Sequence, residues 1–147
     1  YNEIHKKYPD SRLVIIGDGE DRNMVKKRIL ELALEEYVIM TGAVNNVNEW
    51  MQAMDIFLLP SRFEGLPVVA IEAQAAGLPC IFSDTFSKAS AVTDNVEFLS
   101  LQLSAEKWAE RILVHRNDVR INTYENLTKA GYNINNEVEN LCKILEN

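Results

Sequence analysis

At 147 residues, with 47% hydrophobic and 25% charged side chains, the chain has the size and composition of one globular domain with a real core. A formal net charge of −7 argues against nucleic acid as the main partner, since phosphate binding needs clustered Lys and Arg. The one basic run, Lys26-Lys27-Arg28, lies among acids in a helical stretch and reads as a solvated face.

No run reaches the ~18 apolar residues of a membrane span, and no signal peptide opens the chain. Cys80 and Cys142 are far apart in sequence; Cys80 enters an apolar strand and is expected as a buried, reduced thiol of a cytoplasmic protein. His5 and His115 read as surface helix residues, and no metal-ligand spacing appears.

Helix and strand alternate along the chain. Tyr1 to Lys7 reads as the end of a helix halted at Pro9, and Arg12 to Ile16 as an apolar strand ending in Gly17-Asp18-Gly19. Asp21 to Ala33 is a predicted helix with Met24, Ile29, Leu32 and Ala33 near one side. Val38 to Thr41 is a short strand, Gly42 to Asn46 a loop, Val47 to Met54 a short helix and Asp55 to Leu59 a strand. A helix over Val68 to Ala76 should pack Val68, Ile71 and Ala75 on the sheet, and Cys80 to Ser83 forms the next strand. Thr85 to Asn95 is loop-like, and Val96 to Leu99 a last strand. Ser104 fits the N-cap of a helix to about Asn117, with Ala105, Trp108, Ile112 and His115 at helical spacing. Two helical stretches follow, near Val119 to Ala130 and Asn136 to Leu145, separated by Gly131. Trp50 and Trp108 are expected to pack in the core. This alternation predicts an α/β fold, a doubly wound parallel sheet with helices on both faces.

The stretch from Leu58 to Pro79 carries the chemistry. A strand ends at Pro60-Ser61, a loop bears Glu64 and Gly65, Pro67 opens a helix of small and aliphatic residues, and Gly77 ends it before Pro79. Glu72 stands in that apolar helix with seven residues between it and Glu64. Open α/β sheets bind ligands where such a loop at a strand's C-terminal end meets a helix N-terminus. Amides such as those of Leu66 and Val68 would suit an anion, and each carboxylate a polyol. Spacing alone leaves open that Glu72 is a solvated helix residue and Glu64 a loop residue. Arg62 could meet a phosphate or screen the two acids. Gly17-Asp18-Gly19 lacks the third glycine of a dinucleotide fingerprint, which argues against an NAD site.

The residues Pro60, Ser61, Glu64, Gly65, Glu72, Ala73, Gly77 and Pro79 resemble the signature of the family 4, or group 1, retaining glycosyltransferases of the GT-B fold. Leu13 to Gly19 and Val38 to Gly42 resemble two further strand-loop segments of that family. Phe82 to Thr85, Phe98 to Leu101 and Trp108 to Glu110 resemble its bacterial capsular and exopolysaccharide subgroup. The resemblance runs from about Ser11 to the end.

It implies the Rossmann-like donor-binding half of such an enzyme, truncated at its N-terminal end, without the acceptor-binding domain and inactive alone. Glu64 would meet hydroxyls of the donor sugar, as the catalytic-site carboxylate, and Glu72 the ribose. Gly65, Leu66, Pro67 and Val68 would hold the sugar or diphosphate, Gly42, Ala43 and Val44 the base, and Gly17, Asp18 and Gly19 would border the nucleotide-sugar. The implied partners are a nucleotide diphosphate sugar and a glycan or lipid-linked acceptor, with no cofactor and no metal. The implied setting is the cytoplasm, any contact with the inner face of the membrane belonging to the missing domain. In that family an Arg and a Lys upstream of this chain grip the diphosphate, and a Pro or Gly followed by Glu often stands where this chain reads Phe86-Ser87-Lys88-Ala89. The alternatives are a sugar-nucleotide epimerase of the same fold and a flavodoxin-like binding module.

Overall fold

The apolar runs form strands β1 (Leu13–Ile16), β2 (Val38–Gly42), β3 (Phe57–Leu59), β4 (Cys80–Ser83) and β5 (Val96–Leu99). The helices are α1 (Asn2–Lys7), α2 (Arg22–Glu31), α3 (Val47–Gln52), α4 (Val68–Ala75), α5 (Ala105–Val114), α6 (Tyr124–Lys129) and α7 (Ile134–Leu145). The structure, a computed structural model, describes residues 1–65 and 67–145. Every strand pair is parallel. The strands do not make one sheet, however: β1 pairs with β2, and β3, β4 and β5 form a separate three-stranded sheet in that order.

Strand alternation divides the larger sheet into two apolar faces. Phe57, Leu59, Cys80, Phe82, Val96 and Phe98 point to one side, where Met51 of α3 and Ala70 and Ala73 of α4 cover them. Leu58, Ile81 and Leu99 point to the other, covered by Ile4 of α1 and by Ala109 and Ile112 of α5. Central β4 is therefore buried along its whole length. A parallel strand covered on both faces needs a continuous apolar run, and Cys80-Ile81-Phe82 supplies it. Burial pushes the Cys80 thiol up to about 12, while Cys142 on α7 is exposed. Phe86, in the loop after β4, stacks on Phe82 with ring centroids 5.5 Å apart and closes the core at that end.

Several boundaries and faces differ from the sequence reading. In α2 the half-buried side is Arg22, Val25, Ile29 and Leu32; Met24 is 63% exposed, and Ala33, at φ 52, lies past the helix end. The predicted helix from Val119 begins only at Tyr124. Before it runs a strap in which Arg120 donates to the carbonyls of Met51, Met54 and Ala76 at 2.6–2.7 Å. These carbonyls close the C-terminal ends of α3 and α4, where a cation is favoured. Gly77, at φ +73, ends α4 and meets the Ile121 carbonyl so closely that a Cβ would collide with it. The Ser104 cap is present, its hydroxyl accepting from the Lys107 amide at 3.3 Å. Trp108 packs against the second core face and donates to the Ser100 carbonyl at 3.0 Å, whereas Trp50 is half-buried on α3.

The histidines are not free surface groups. His5 is half-buried against the Tyr37 ring, 4.0 Å between centroids. His115 follows α5 and lies between two carboxylates, Nε2 2.8 Å from Glu97 and Nδ1 2.7 Å from Asp118. Glu97 sits on the α5 side of β5 and also accepts from Arg111 Nε at 2.7 Å. Burial alone would lower His115, but the bonds to Glu97 and Asp118 outweigh it and hold the imidazole above its ordinary value of 6.5. Burial likewise works to raise Glu97, yet the bonds from Arg111 and His115 leave it below its ordinary 4.5.

The raised histidine stabilises the fold fully below its unfolded value, and that contribution is lost as pH rises through the folded value. The lowered glutamate contributes above its unfolded value and is lost only as pH falls through its folded one. Thermal melts should therefore show wild-type stability declining as pH rises from about 6.5 through neutrality, a slope absent in His115→Gln. An identical slope in that variant would remove the clasp from the account.

Candidate functional site

The loop of residues 60–65 leaves the C-terminal end of β3, beside the C-terminal end of β4. Glu64 is half-buried there, and Ser61 Oγ donates to its Oε1 at 3.1 Å. The Ser61 carbonyl in turn accepts from Ser83 Oγ, at the end of β4, and Thr85 Oγ1 lies 2.8 Å from the same oxygen. Arg62 and Gly65 are exposed, and Phe63 is 89% exposed. Pro67 takes the cap position of α4 with extended backbone, its carbonyl accepting from the Ala70 amide at 3.0 Å. Leu66, expected in the anion cradle, lies outside the described residues.

α4 does not present the predicted side to the sheet. Val69, Ala70 and Ala73 pack there, while Val68 is 71% exposed and Ala75 is exposed. The helix is apolar almost all round, so periodicity could not orient it; the small side chains of Ala70 and Ala73 decide, because they let the helix approach the sheet. The opposite side, Val68, Ile71, Glu72 and Ala75, lines a crevice of about 220 Å³ closed by Leu127 and Tyr132. Glu72 is exposed and is the one carboxylate of that lining.

Gln74 is wholly buried between α4 and the loop after β4. Its Nε2 donates to the carbonyls of Ala70 at 2.9 Å and Ser90 at 2.8 Å. Its Oε1 accepts from the amides of Val92 at 2.9 Å and Thr93 at 3.1 Å. One amide thus fixes the far end of that loop while Phe86 fixes the near end.

On the smaller sheet the structure brings Gly17, Asp18, Gly19 and Gly42 together. The Gly17 amide donates to the Gly42 carbonyl at 2.9 Å, and both glycines have positive φ. Asp18 Oδ1 accepts from the Gly19 amide at 2.9 Å, and Oδ2 pairs with Arg22 at 3.4 Å. A Cβ on Gly42 would lie 3.3 Å from Arg22 Nη1, so the bare glycine makes room for the guanidinium. Ala43 is exposed and Val44 half-buried in the loop that follows.

The candidate residues thus form two groups on two sheets, Gly17 to Val44 and Glu64 to Glu72. The sequence reading did not assign parts to Arg22, Gln74, Ser83 and Thr85. The Asp18–Arg22 spacing of four was a usable signal for the first. Among the described residues no cluster of three or more His, Cys, Asp and Glu could hold a metal ion, and no helix is long and apolar enough to cross a membrane.

The family model described as glycosyl transferases group 1 matches residues 1–134. The chain belongs to that family. It is 40% identical over 102 residues to EpsF of Bacillus subtilis, an alignment covering 69% of this chain and 27% of that protein. It is 39% identical over 89 residues to the Vi polysaccharide biosynthesis protein VipC/TviE of Salmonella typhi, covering 60% of this chain and 15% of that one. The chain therefore spans about a quarter or less of these curated relatives. The pneumococcal O-GlcNAc transferase GtfA, solved in complex with UDP and GlcNAc, superposes with a TM-score of 0.74 at 20% identity, over 99% of this chain and 31% of that one. That likeness shows the glycosyltransferase fold, with parallel sheets and helices on both sides.

Proposed function

We propose that this domain binds a nucleoside diphosphate sugar and serves, as the donor half of a larger cytoplasmic enzyme, a retaining glycosyl transfer to a glycan or lipid-linked acceptor in surface polysaccharide synthesis. The observation that carries the reading is the Glu64 loop: a carboxylate tethered by Ser61 at the C-terminal ends of β3 and β4, running directly into α4 and its exposed Glu72. Family membership and the polysaccharide role printed for the Salmonella relative support the substrate class, and the UDP bound to GtfA supports the nucleotide.

In this reading Glu72 accepts hydrogen bonds from the ribose hydroxyls, and Glu64 meets hydroxyls of the donor sugar. The backbone amides of Gly65 and Val68 stabilise charge developing on the leaving diphosphate, as fixed donors at a helix N-terminus do. Gly42, Ala43 and Val44 lie against the base, with Gly17, Asp18 and Gly19 at the border of the nucleotide.

Edges of β1 and β3 that have no strand partner among the described residues support the domain boundary. Both are short apolar strands carrying no charged side chain to protect an edge, Leu13-Val14-Ile15-Ile16 and Phe57-Leu58-Leu59. A further parallel strand between them, from a preceding segment that also supplies the diphosphate-gripping Arg and Lys, would join the two sheets into one.

Calorimetry on the enzyme with its preceding domain tests the reading. A nucleoside diphosphate such as UDP or GDP should bind. Glu72→Gln, which keeps the shape but replaces a charged acceptor by a neutral one, should weaken binding about tenfold or more. Undiminished affinity in Glu72→Gln would remove that residue from the site, and no binding of either nucleotide by the wild type would overturn the function.

A further inference from the structure

The ends of β3 and β4 hold a hydroxyl cluster whose protons do not cover its contacts. Ser83 is fully buried. Its Oγ reaches the Ser61 carbonyl and also lies 2.7 Å from Thr85 Oγ1, which is itself 2.8 Å from that carbonyl. Each hydroxyl carries one proton and can accept two. If both donated to the carbonyl, the Ser83 and Thr85 oxygens would face each other lone pair to lone pair at close range. The arrangement without that repulsion is a chain: one hydroxyl donates to the other, and the second donates to the Ser61 carbonyl. A chain of two side chains thus holds a single loop carbonyl across more than twenty residues of sequence. Ser61 spends its own hydroxyl on Glu64 Oε1.

We propose that Ser83 and Thr85 are positioning residues for Glu64: they lock the Ser61 backbone, which aims the Ser61 hydroxyl at Oε1 and leaves Oε2 as the oxygen offered to a donor-sugar hydroxyl. This rests on the reading that Glu64 meets the transferred sugar. The lock explains why β4 ends in a buried serine, where an apolar side chain would pack equally well. It also explains why Thr85 keeps its hydroxyl on the loop although the residue is exposed. A carboxylate held by one oxygen keeps its orientation when the ligand is absent, and that orientation raises turnover without adding affinity for the nucleotide.

The test is a double-mutant cycle in the enzyme with its preceding domain, reading turnover and the affinity for UDP or GDP. Thr85→Val and Ser61→Ala should each lower kcat about tenfold and leave nucleotide affinity unchanged, and Thr85→Ser should restore turnover. In a Glu64→Gln background neither substitution should cost anything further. Losses that add to that of Glu64→Gln, or unchanged kcat in both single variants, overturn the lock while leaving the role of Glu64 standing. Unchanged turnover in Glu64→Gln itself overturns the role of Glu64 and the lock with it. If Thr85→Val melts well below the wild type, Ser61→Ala decides, because it removes only the bond to Glu64 and lies outside β4.

Discussion

Replacing Gln74 by Leu should lower the stability of the domain by about 3–5 kcal/mol, although Leu fits an apolar helix better than Gln does. The substitution leaves the Val92 and Thr93 amides and the Ser90 carbonyl without the partner they have in the native fold. A buried polar group stranded in this way costs about 1–3 kcal/mol, whereas the Leu side chain recovers little because the site is already buried and packed. For a chain of 147 residues, roughly 2–4 °C of melting temperature per kcal/mol implies a fall of about 6–20 °C. The local signature should be sharper still. Hydrogen exchange at Val92 and Thr93 should accelerate more than at Ile81 or Phe82, since the loop is released before the sheet opens. A melting temperature within about 3 °C of the wild type would show that this glutamine does not organise the loop.

The two glutamates should fail differently when truncated. Glu64 stands in the loop ahead of α4, whereas Glu72 is on the helix behind it. In the proposed full-length enzyme, and on the proposed contact of Glu64 with the donor sugar, Glu64→Ala should leave the affinity for free nucleoside diphosphate nearly intact and cut turnover about 10²-fold or more, because a sugar held without its positioning contact loses the reactive geometry. Glu72→Ala should weaken the sugar donor and the free nucleotide alike. Measuring nucleotide affinity and turnover for both variants decides between them. Loss of nucleotide binding in Glu64→Ala together with its retention in Glu72→Ala would reverse the two roles.

The sequence was most legible where one physical requirement dominates. β4 and β5 were read with their observed limits, and the Pro60 to Pro79 motif led to the family, because a run such as Cys80-Ile81-Phe82-Ser83 has one use in an α/β domain. It was least legible where orientation or distance decides. α4 offers apolar side chains in nearly every direction, so the choice of Ala70 and Ala73 as its sheet face follows from size, not period. The strap before α6 falls in a stretch expected to be helical from Val119, yet Arg120 finds its partners in the carbonyls at the ends of two distant helices. The single sheet expected from alternation was found as two, since strand order depends on which strands pair and not on how many are predicted. The Ser61–Ser83–Thr85 cluster joins residues 22 and 24 positions apart, and no local pattern announces such a pairing.

The contrast between the two thiols gives the domain a two-speed chemical label. At neutral pH Cys80 has almost no thiolate and no path to solvent, whereas Cys142 lies open on the last helix. An alkylating reagent therefore marks Cys142 in the folded protein and reaches Cys80 only when the middle strand of the larger sheet comes apart. Because Cys80 and Ser83 share that strand, the rate at which the second label arrives times the dismantling of the same element that holds the Glu64 loop. The lone cysteine of the core thus works as a clock for the integrity of the site, with the exposed one as its internal standard.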